Sequence, residues 1–189
     1  MNLPIETERL RLRRYEGRDL GDILAFTRDA DFWLARNTNW PATEDGVREY
    51  WEAQRDIDPD ADPKWFDLVI ELKAEHEVIG SVGLGFVKSG GLRQGTIGWL
   101  LARKLQGRGL ATEAVRALMT AGFREQRLHR ISARTGRDNV RSWRLMERLG
   151  MRREAHFRES HEVKGRWGDE FVYAILADEW PAPSRSSRH

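Results

Sequence analysis

The feature that most constrains this chain is a change of hydrophobic period across a pair of glycines. Residues 94–101 read as a strand ending in Trp99-Leu100-Leu101. From Ala111 onward, Ala111, Ala114, Val115, Leu118, Gly122 and Phe123 follow the i, i+3, i+4 pattern of a helix packed on a sheet. Gln106-Gly107-Arg108-Gly109-Leu110-Ala111 joins the two. The fold must therefore carry a strand through a tight glycine turn into a strong helix.

The rest of the chain arranges itself around that junction. Arg9-Leu10-Arg11-Leu12-Arg13 alternates strictly and predicts a strand with its leucines inward. Asp19 is placed to cap a helix with Leu20, Ile23, Leu24 and Thr27 on one side, and a second short helix starts from Thr43, with Val47, Tyr50 and Trp51 at helical spacing. Residues 56–63, rich in Asp and Pro, predict a loop. Residues 65–73 and 78–87 predict strands joined by a hairpin turn at Ala74-Glu75-His76, and 94–101 follows the Ser89-Gly90-Gly91 break. After the central helix come a short strand at 130–135 and a helix at 139–149, with Asn139 as cap and Gly150 as stop. Two strands, 151–163 and 169–176, close the chain around Lys164-Gly165-Arg166. The order β-α-α-β-β-β-α-β-α-β-β implies a mixed sheet with helices on both faces. A single domain over 1–180 is expected, followed by a disordered Ser/Arg/Pro-rich tail at 181–189.

The 189 residues suffice for one domain with a sizeable core. The absence of cysteine excludes a disulfide framework, a thiolate metal site and a cysteine nucleophile. The start of the chain lacks the basic cap and apolar run of a secretion signal, and no stretch approaches a membrane span, so a cytoplasmic protein with no membrane partner is expected. Net charge is only +2 but uneven: residues 44–77 hold twelve acids against four bases, and 124–153 hold ten bases against three acids. Such asymmetry suits a polyanionic ligand at one end and a cationic one at the other, or simply two solvated faces. The arginines of 124–153 come with no nucleic-acid motif and no interleaved aromatics for stacking, so no nucleic-acid partner is expected.

The glycine loop has a chemistry of its own. Two glycines remove side chains where backbone N–H groups would meet an anion, and the following helix points its unsatisfied N–H groups and positive dipole end at the same place. That is the physics of a diphosphate site, to which Arg108 could add a charge-assisted contact. The dinucleotide pattern G-x-G-x-x-G is only partly met, because Thr112 stands at its third glycine, and G-x-x-x-x-G-K-S/T is absent. Taken alone, such a pair also serves as a plain strand-to-helix turn.

The surrounding residues narrow the reading. Gln106-x-x-Gly109-x-Ala111 resembles the coenzyme A pyrophosphate motif of the GNAT superfamily of N-acetyltransferases, Gln/Arg-x-x-Gly-x-Gly/Ala. Thr7-Glu8-Arg9-Leu10-Arg11-Leu12-Arg13 is similar to the opening strand of the RimJ/RimL type (acetyltransferases of ribosomal-protein N-termini), and Ile97-Gly98-Trp99-Leu100-Leu101 to its central strand. Asn139-x-x-Ser142 with Glu147-Arg148-Leu149-Gly150-Met151 resembles its next helix. Asp169, Val172-Tyr173-Ala174-Ile175-Leu176 and Glu179-Trp180 resemble its closing strand. The loop by itself is weakly specific; the ordered set, from about Thr7 to Trp180, is strongly so.

The resemblance implies an α+β GNAT fold: a mixed, mostly antiparallel seven-stranded sheet, about four helices on its two faces and a splayed central strand pair. It implies acetyl-CoA as co-substrate, no metal, and direct attack by a primary amine in a ternary complex. By carry-over, the backbone of Trp99, Leu100 and Leu101 would pair with pantetheine, and Gln106, Gly107, Arg108, Gly109, Leu110, Ala111 and Thr112 would cradle the phosphates. Asn139 would hydrogen-bond pantetheine as well as capping its helix. Ser142, one turn on, would be the general acid for the departing thiolate. Many relatives carry a carboxylate two residues before the central glycine, where this chain has Thr96. The base candidates left are Glu71 and Asp67, Glu159 and His156, or a water relay.

The acceptor end would be built by Phe32, Trp33, Asn37, Trp40 and Tyr50, aromatic walls with a few polar groups in a chain with eight tryptophans. The acceptor itself is expected to be a protein N-terminal α-amine or a small-molecule amine. A fold member that binds acyl-CoA without catalysis, as a sensor or interaction module, is the competing reading. An edge strand or the aromatic helices would allow a homodimer.

Overall fold

Leu10 and Leu12 are fully buried, as the alternation at the start of the chain requires. Arg13, next on the same strand, is buried too, because Asp19 grips its guanidinium with both carboxylate oxygens (2.7 and 2.8 Å) and Glu71 takes its Nε at 2.5 Å. Asp19 therefore does not spend its carboxylate on capping the first helix. It also accepts the Glu16 N–H and closes a capping box around the 3-10 turn Gly17–Asp19, from which the helix continues directly.

The computed structural model describes residues 1–29, 43–61, 64–89, 92–163 and 165–180. The expectations placed on Phe32, Trp33, Asn37, Trp40, Gly90, Gly91, Lys164 and the 181–189 tail lie outside the described residues. The described elements are β1 (Ile5–Glu6), β2 (Leu10–Arg13), α1 (Leu20–Asp29), α2 (Glu44–Arg55), β3 (Phe66–Leu72), β4 (Glu77–Ser89), β5 (Leu92–Leu101), α3 (Leu110–Arg124), β6 (Arg130–Gly136), α4 (Val140–Arg148), β7 (Arg152–Val163) and β8 (Arg166–Leu176). They make an α+β fold with one eight-stranded sheet, ordered β1-β2-β3-β4-β5-β6-β8-β7. The strand beyond the expected seven is β1, a two-residue edge piece that pairs Ile5 with Leu12 and Glu6 with Arg11.

Every pairing is antiparallel except β5 with β6. That parallel pair is short. Gln94, Gly95 and Thr96 face Arg130, Ile131 and Ser132, and the registry then stops although both strands run on. The sheet opens into a V whose last rung is Thr96 and Ser132, with their hydroxyl oxygens 3.4 Å apart.

Register also sorts the helices. Cross-strand partners share a face, so Phe66, Leu84 and Ile97 lie on one face, and Asp67, Gly83 and Gly98 on the other. Helix α2 reaches the second face, where Tyr50 donates to Asp67, and α1 follows Asp19 on that side. Helices α3 and α4 cover the first: Gly122 of α3 lies against Leu84 and Ile131, and the Tyr173 hydroxyl donates to Glu147 of α4.

Helix α4 is closed at both ends as its sequence predicts. The Asn139 side chain accepts the Ser142 N–H at 3.3 Å. Gly150 adopts φ +84, while the N–H groups of Gly150 and Met151 return to the carbonyls of Glu147 and Met146. That is the double bond of a Schellman ending.

Candidate active site

The glycine loop takes the shape that anion binding needs. Gly107 and Gly109 have φ of +82 and +78, a region that costs other residues about 1–2 kcal/mol. Gly109 is the N-cap of α3 and no side chain caps that end, so the first-turn N–H groups of α3 stay available to a ligand. The acid nearest that end, Glu113, is neutralised from behind. It accepts from Thr7 Oγ1 at 2.7 Å and pairs with Arg9 at 2.6 Å, while Arg9 Nη1 also donates to the Arg108 carbonyl. The basic opening strand thus keeps a competing negative charge from a site suited to anions.

Gln106 braces the loop. Its Nε2 donates to the Leu101 carbonyl and its Oε1 accepts from Arg141 of α4, tying the end of β5 to that helix. Beyond Thr96 the β6-facing edge of β5 pairs with no strand among the described residues, so residues 97–101 offer backbone donors and acceptors to the V. Asn139 and Ser142 line the same space. The Ser142 hydroxyl has no hydrogen-bond partner among the described residues.

These groups border one cavity of about 1080 Å³ that passes through the V from one face of the sheet to the other. On the α3/α4 side it is walled by Trp99, Gln106, Gly107, Gly109, Leu110, Ala111, Thr112, Asn139 and Ser142, with Arg141, Arg144 and Arg148. Leu100 and Leu101 also line it; Arg108 does not. On the α1/α2 side it is walled by Tyr50, Trp65, Asp67, Ser81 and Gly98, with Arg134, Glu170 and His161 opposite. The acidic run 44–77 contributes Asp67 to one end, and the basic run 124–153 contributes three α4 arginines to the other and Arg134, paired with Glu170, to the Asp67 end.

The four side chains considered as bases part company. Glu71 is 2 % exposed, does not line the cavity, and is engaged by Arg13, Arg11 and His76. Burial pushes its carboxyl up, but the hydrogen bond and charge of Arg13 outweigh this and hold it below the usual range. His156 and Glu159 also lie off the cavity. His156 Nε2 sits 2.6 Å from Asp169, whose carboxyl is held down to about 2 by the Glu159 N–H and then by His156. Asp67 alone of the four lines the cavity, and burial drives its carboxyl above the usual range despite hydrogen bonds from Tyr50 and Trp65.

Trp65, Ser81, Arg134, His161 and Glu170 escape the sequence reading. They sit on β4, β6, β7, β8 and the lead into β3, and no spacing along the chain brings them together. Glu170 is joined to Arg134 at 2.7 Å across the β6–β8 pair, a contact only the register reveals.

Residues 9–152 match the model of the acetyltransferase (GNAT) domain. The uncharacterized N-acetyltransferase YnaD of Bacillus subtilis is 31% identical over 176 residues, covering 93% of this chain and 98% of that protein. The Escherichia coli [ribosomal protein uS5]-alanine N-acetyltransferase is 32% identical over 106 residues, or 56% of this chain and 55% of that one. Mycobacterium smegmatis RimJ, solved in complex with CoA-disulfide, superposes with a TM-score of 0.79 at 26% identity, covering 92% of this chain and 84% of that one.

Proposed function

Because the chain belongs to the acetyltransferase (GNAT) family and is an N-acetyltransferase, we propose that it takes its acetyl group from acetyl-CoA and passes it directly to the α-amine of a protein N-terminus. The observation that carries the reading is the two-ended cavity through the V. It joins an uncapped helix N-terminus to a buried carboxylate and aromatic rings on the far face.

The residues present fit the coenzyme. The loop from Gln106 to Thr112 would hold its pyrophosphate on backbone N–H groups, with Arg141, Arg144 and Arg148 adding positive charge nearby. The open edge of β5 at Trp99, Leu100 and Leu101 would pair with the pantetheine amides. Asn139 already spends its Oδ1 on the Ser142 N–H, which leaves its Nδ2 to donate. Bound there, the coenzyme supplies an acetyl thioester. A β5 N–H in the V would polarise the carbonyl, and the Ser142 hydroxyl would give its proton to the departing sulfur.

An α-amine suits this site better than a lysine amine. With a pKa of roughly 8, about a tenth of it is neutral at pH 7, against far less for an amine near 10.4. A relative named for acting on ribosomal protein uS5 points the same way, and such an acceptor would place the reaction in the cytoplasm. The test is thiol release from acetyl-CoA across peptides, free amino acids, polyamines and aminated antibiotics. Peptide N-termini should lead the panel. Faster release with free lysine or a polyamine than with any peptide would overturn the acceptor. Coenzyme binding by calorimetry with no release at all would favour the sensor reading.

A further inference from the structure

Strand β3 carries two acids on one face, Asp67 and Glu71, both nearly out of solvent at 8 % and 2 % exposure. Burying a carboxylate is costly unless a cation or a full set of donors compensates it. Glu71 has Arg13 and Arg11. Asp67 has no cationic partner among the described residues. Its Oδ2 accepts from the Tyr50 hydroxyl and from Trp65 Nε1 at 2.8 Å. Its Oδ1 accepts from nothing described, and the residue lines the cavity.

Glycine makes room for that oxygen at the edge of the cavity. Gly83 faces Asp67 across the β3–β4 pair, and a Cβ there would overlap Oδ1. The Trp65 indole lies over the same ground. A Cβ on Gly83, Gly85 or Gly98 would come within 2.6, 2.9 and 3.1 Å of its ring. Three positions without side chains thus seat a flat aromatic wall beside an acid with one unused oxygen. The Asp67 backbone N–H is anchored on Gln54 Oε1 of α2 at 2.8 Å, while Tyr50 and Trp65 hold the carboxylate through Oδ2.

We propose that Asp67 receives the acceptor's ammonium group on Oδ1 and acts as the base that takes its first proton. The inference rests on the transferase reading above. An ammonium offers three donors and the cationic partner that Asp67 lacks among the described residues, since Arg134 across the space is paired with Glu170. One N–H proton passes to Oδ1 and later to solvent. The neutral nitrogen forms the C–N bond to the acetyl carbon as the C–S bond breaks. The second proton ends on sulfur through the Ser142 hydroxyl, so ammonium and thioester become amide, thiol and one released proton. Tyr50 is a positioning residue, steering the carboxylate through Oδ2. Burial, and next the charge of Asp67, raise the Tyr50 hydroxyl above its ordinary value, so it stays a donor throughout. Among the described residues, the other charged or titratable groups facing this space are Arg134, Glu170 and His161 on the opposite wall.

The test compares full-length wild type with Asp67→Asn by steady-state thiol release over about pH 5 to 9.5 and by CoA calorimetry. The variant should bind CoA like wild type while kcat/KM for peptide amines falls about 10²–10³-fold at pH 7. The deficit should shrink as pH rises and the amine arrives already neutral. A wild-type rate, or a deficit constant with pH, overturns the proposal. Tyr50→Phe keeps the charge and covers the case in which Asp67→Asn fails to fold. Losing a donor that favours the ionised carboxylate should raise its pKa and move the acid limb of kcat/KM to higher pH; an unmoved limb also overturns the proposal. Wild type that releases no thiol with any amine defeats the transferase reading instead, so the two failures are separable.

Discussion

The two ends of the cavity are built on different principles. The α3/α4 end is mostly backbone: positive-φ glycines, an uncapped helix terminus and a strand edge freed by the V. The α1/α2 end is side chains, brought from α2, β3, β6, β7 and β8 onto one space. A backbone site tolerates sequence change as long as the turn survives, so it suits a constant ligand. A side-chain site can be rewritten one residue at a time, so it suits the variable partner. The paired acids of β3 repeat the contrast at small scale, one absorbed into structure by arginines and one left facing the cavity.

The sharpest way to break this division is Ser142→Ala, which should lower kcat about 10²-fold and leave the fold intact, read by single-turnover kinetics. A loss confined to CoA affinity would make Ser142 part of the backbone-type end only. Next is Glu71→Gln, expected to cost about 2 kcal/mol in denaturant unfolding at pH 7, since a charge is removed from a buried pair. Its folded pKa lies below the unfolded value. The stabilisation is therefore present above the usual carboxylate pKa and lost as pH falls through the folded one, so wild type and variant should converge on acidification. A Glu71→Gln enzyme that folds well but loses its acid limb would put the base there instead of on Asp67. Gly109→Val should weaken CoA binding about tenfold through the strain of a left-handed β-branched residue. The smallest effect belongs to His156→Ala, which should change transfer less than about twofold because its ring serves Asp169 away from the cavity.

Much of the α3/α4 end was legible because its determinants are local. Gln106, Gly107 and Gly109 follow one another, α3 shows its period, and Asn139 and Ser142 lie one turn apart on a capped helix. Arg108 shows the limit of such reading: it sits in the motif yet does not line the cavity, although Gly107 and Gly109 on either side of it do. Asp67 and Glu71 show it more sharply. Both are acids on the same predicted strand, and nothing in their spacing says which meets an arginine.

By itself the sequence determined the order of the elements from β2 onward, the glycine turn into α3 and the caps of α4, since propensity, period and backbone sterics act between near neighbours. The tertiary structure alone decided where β5 leaves β6, that Arg13 is buried against Asp19 and Glu71, and that Tyr50, Trp65 and Asp67 meet at the far end of the cavity. Those outcomes depend on register and on the competition of distant charges for the same buried space, and neither is encoded at any single position along the chain.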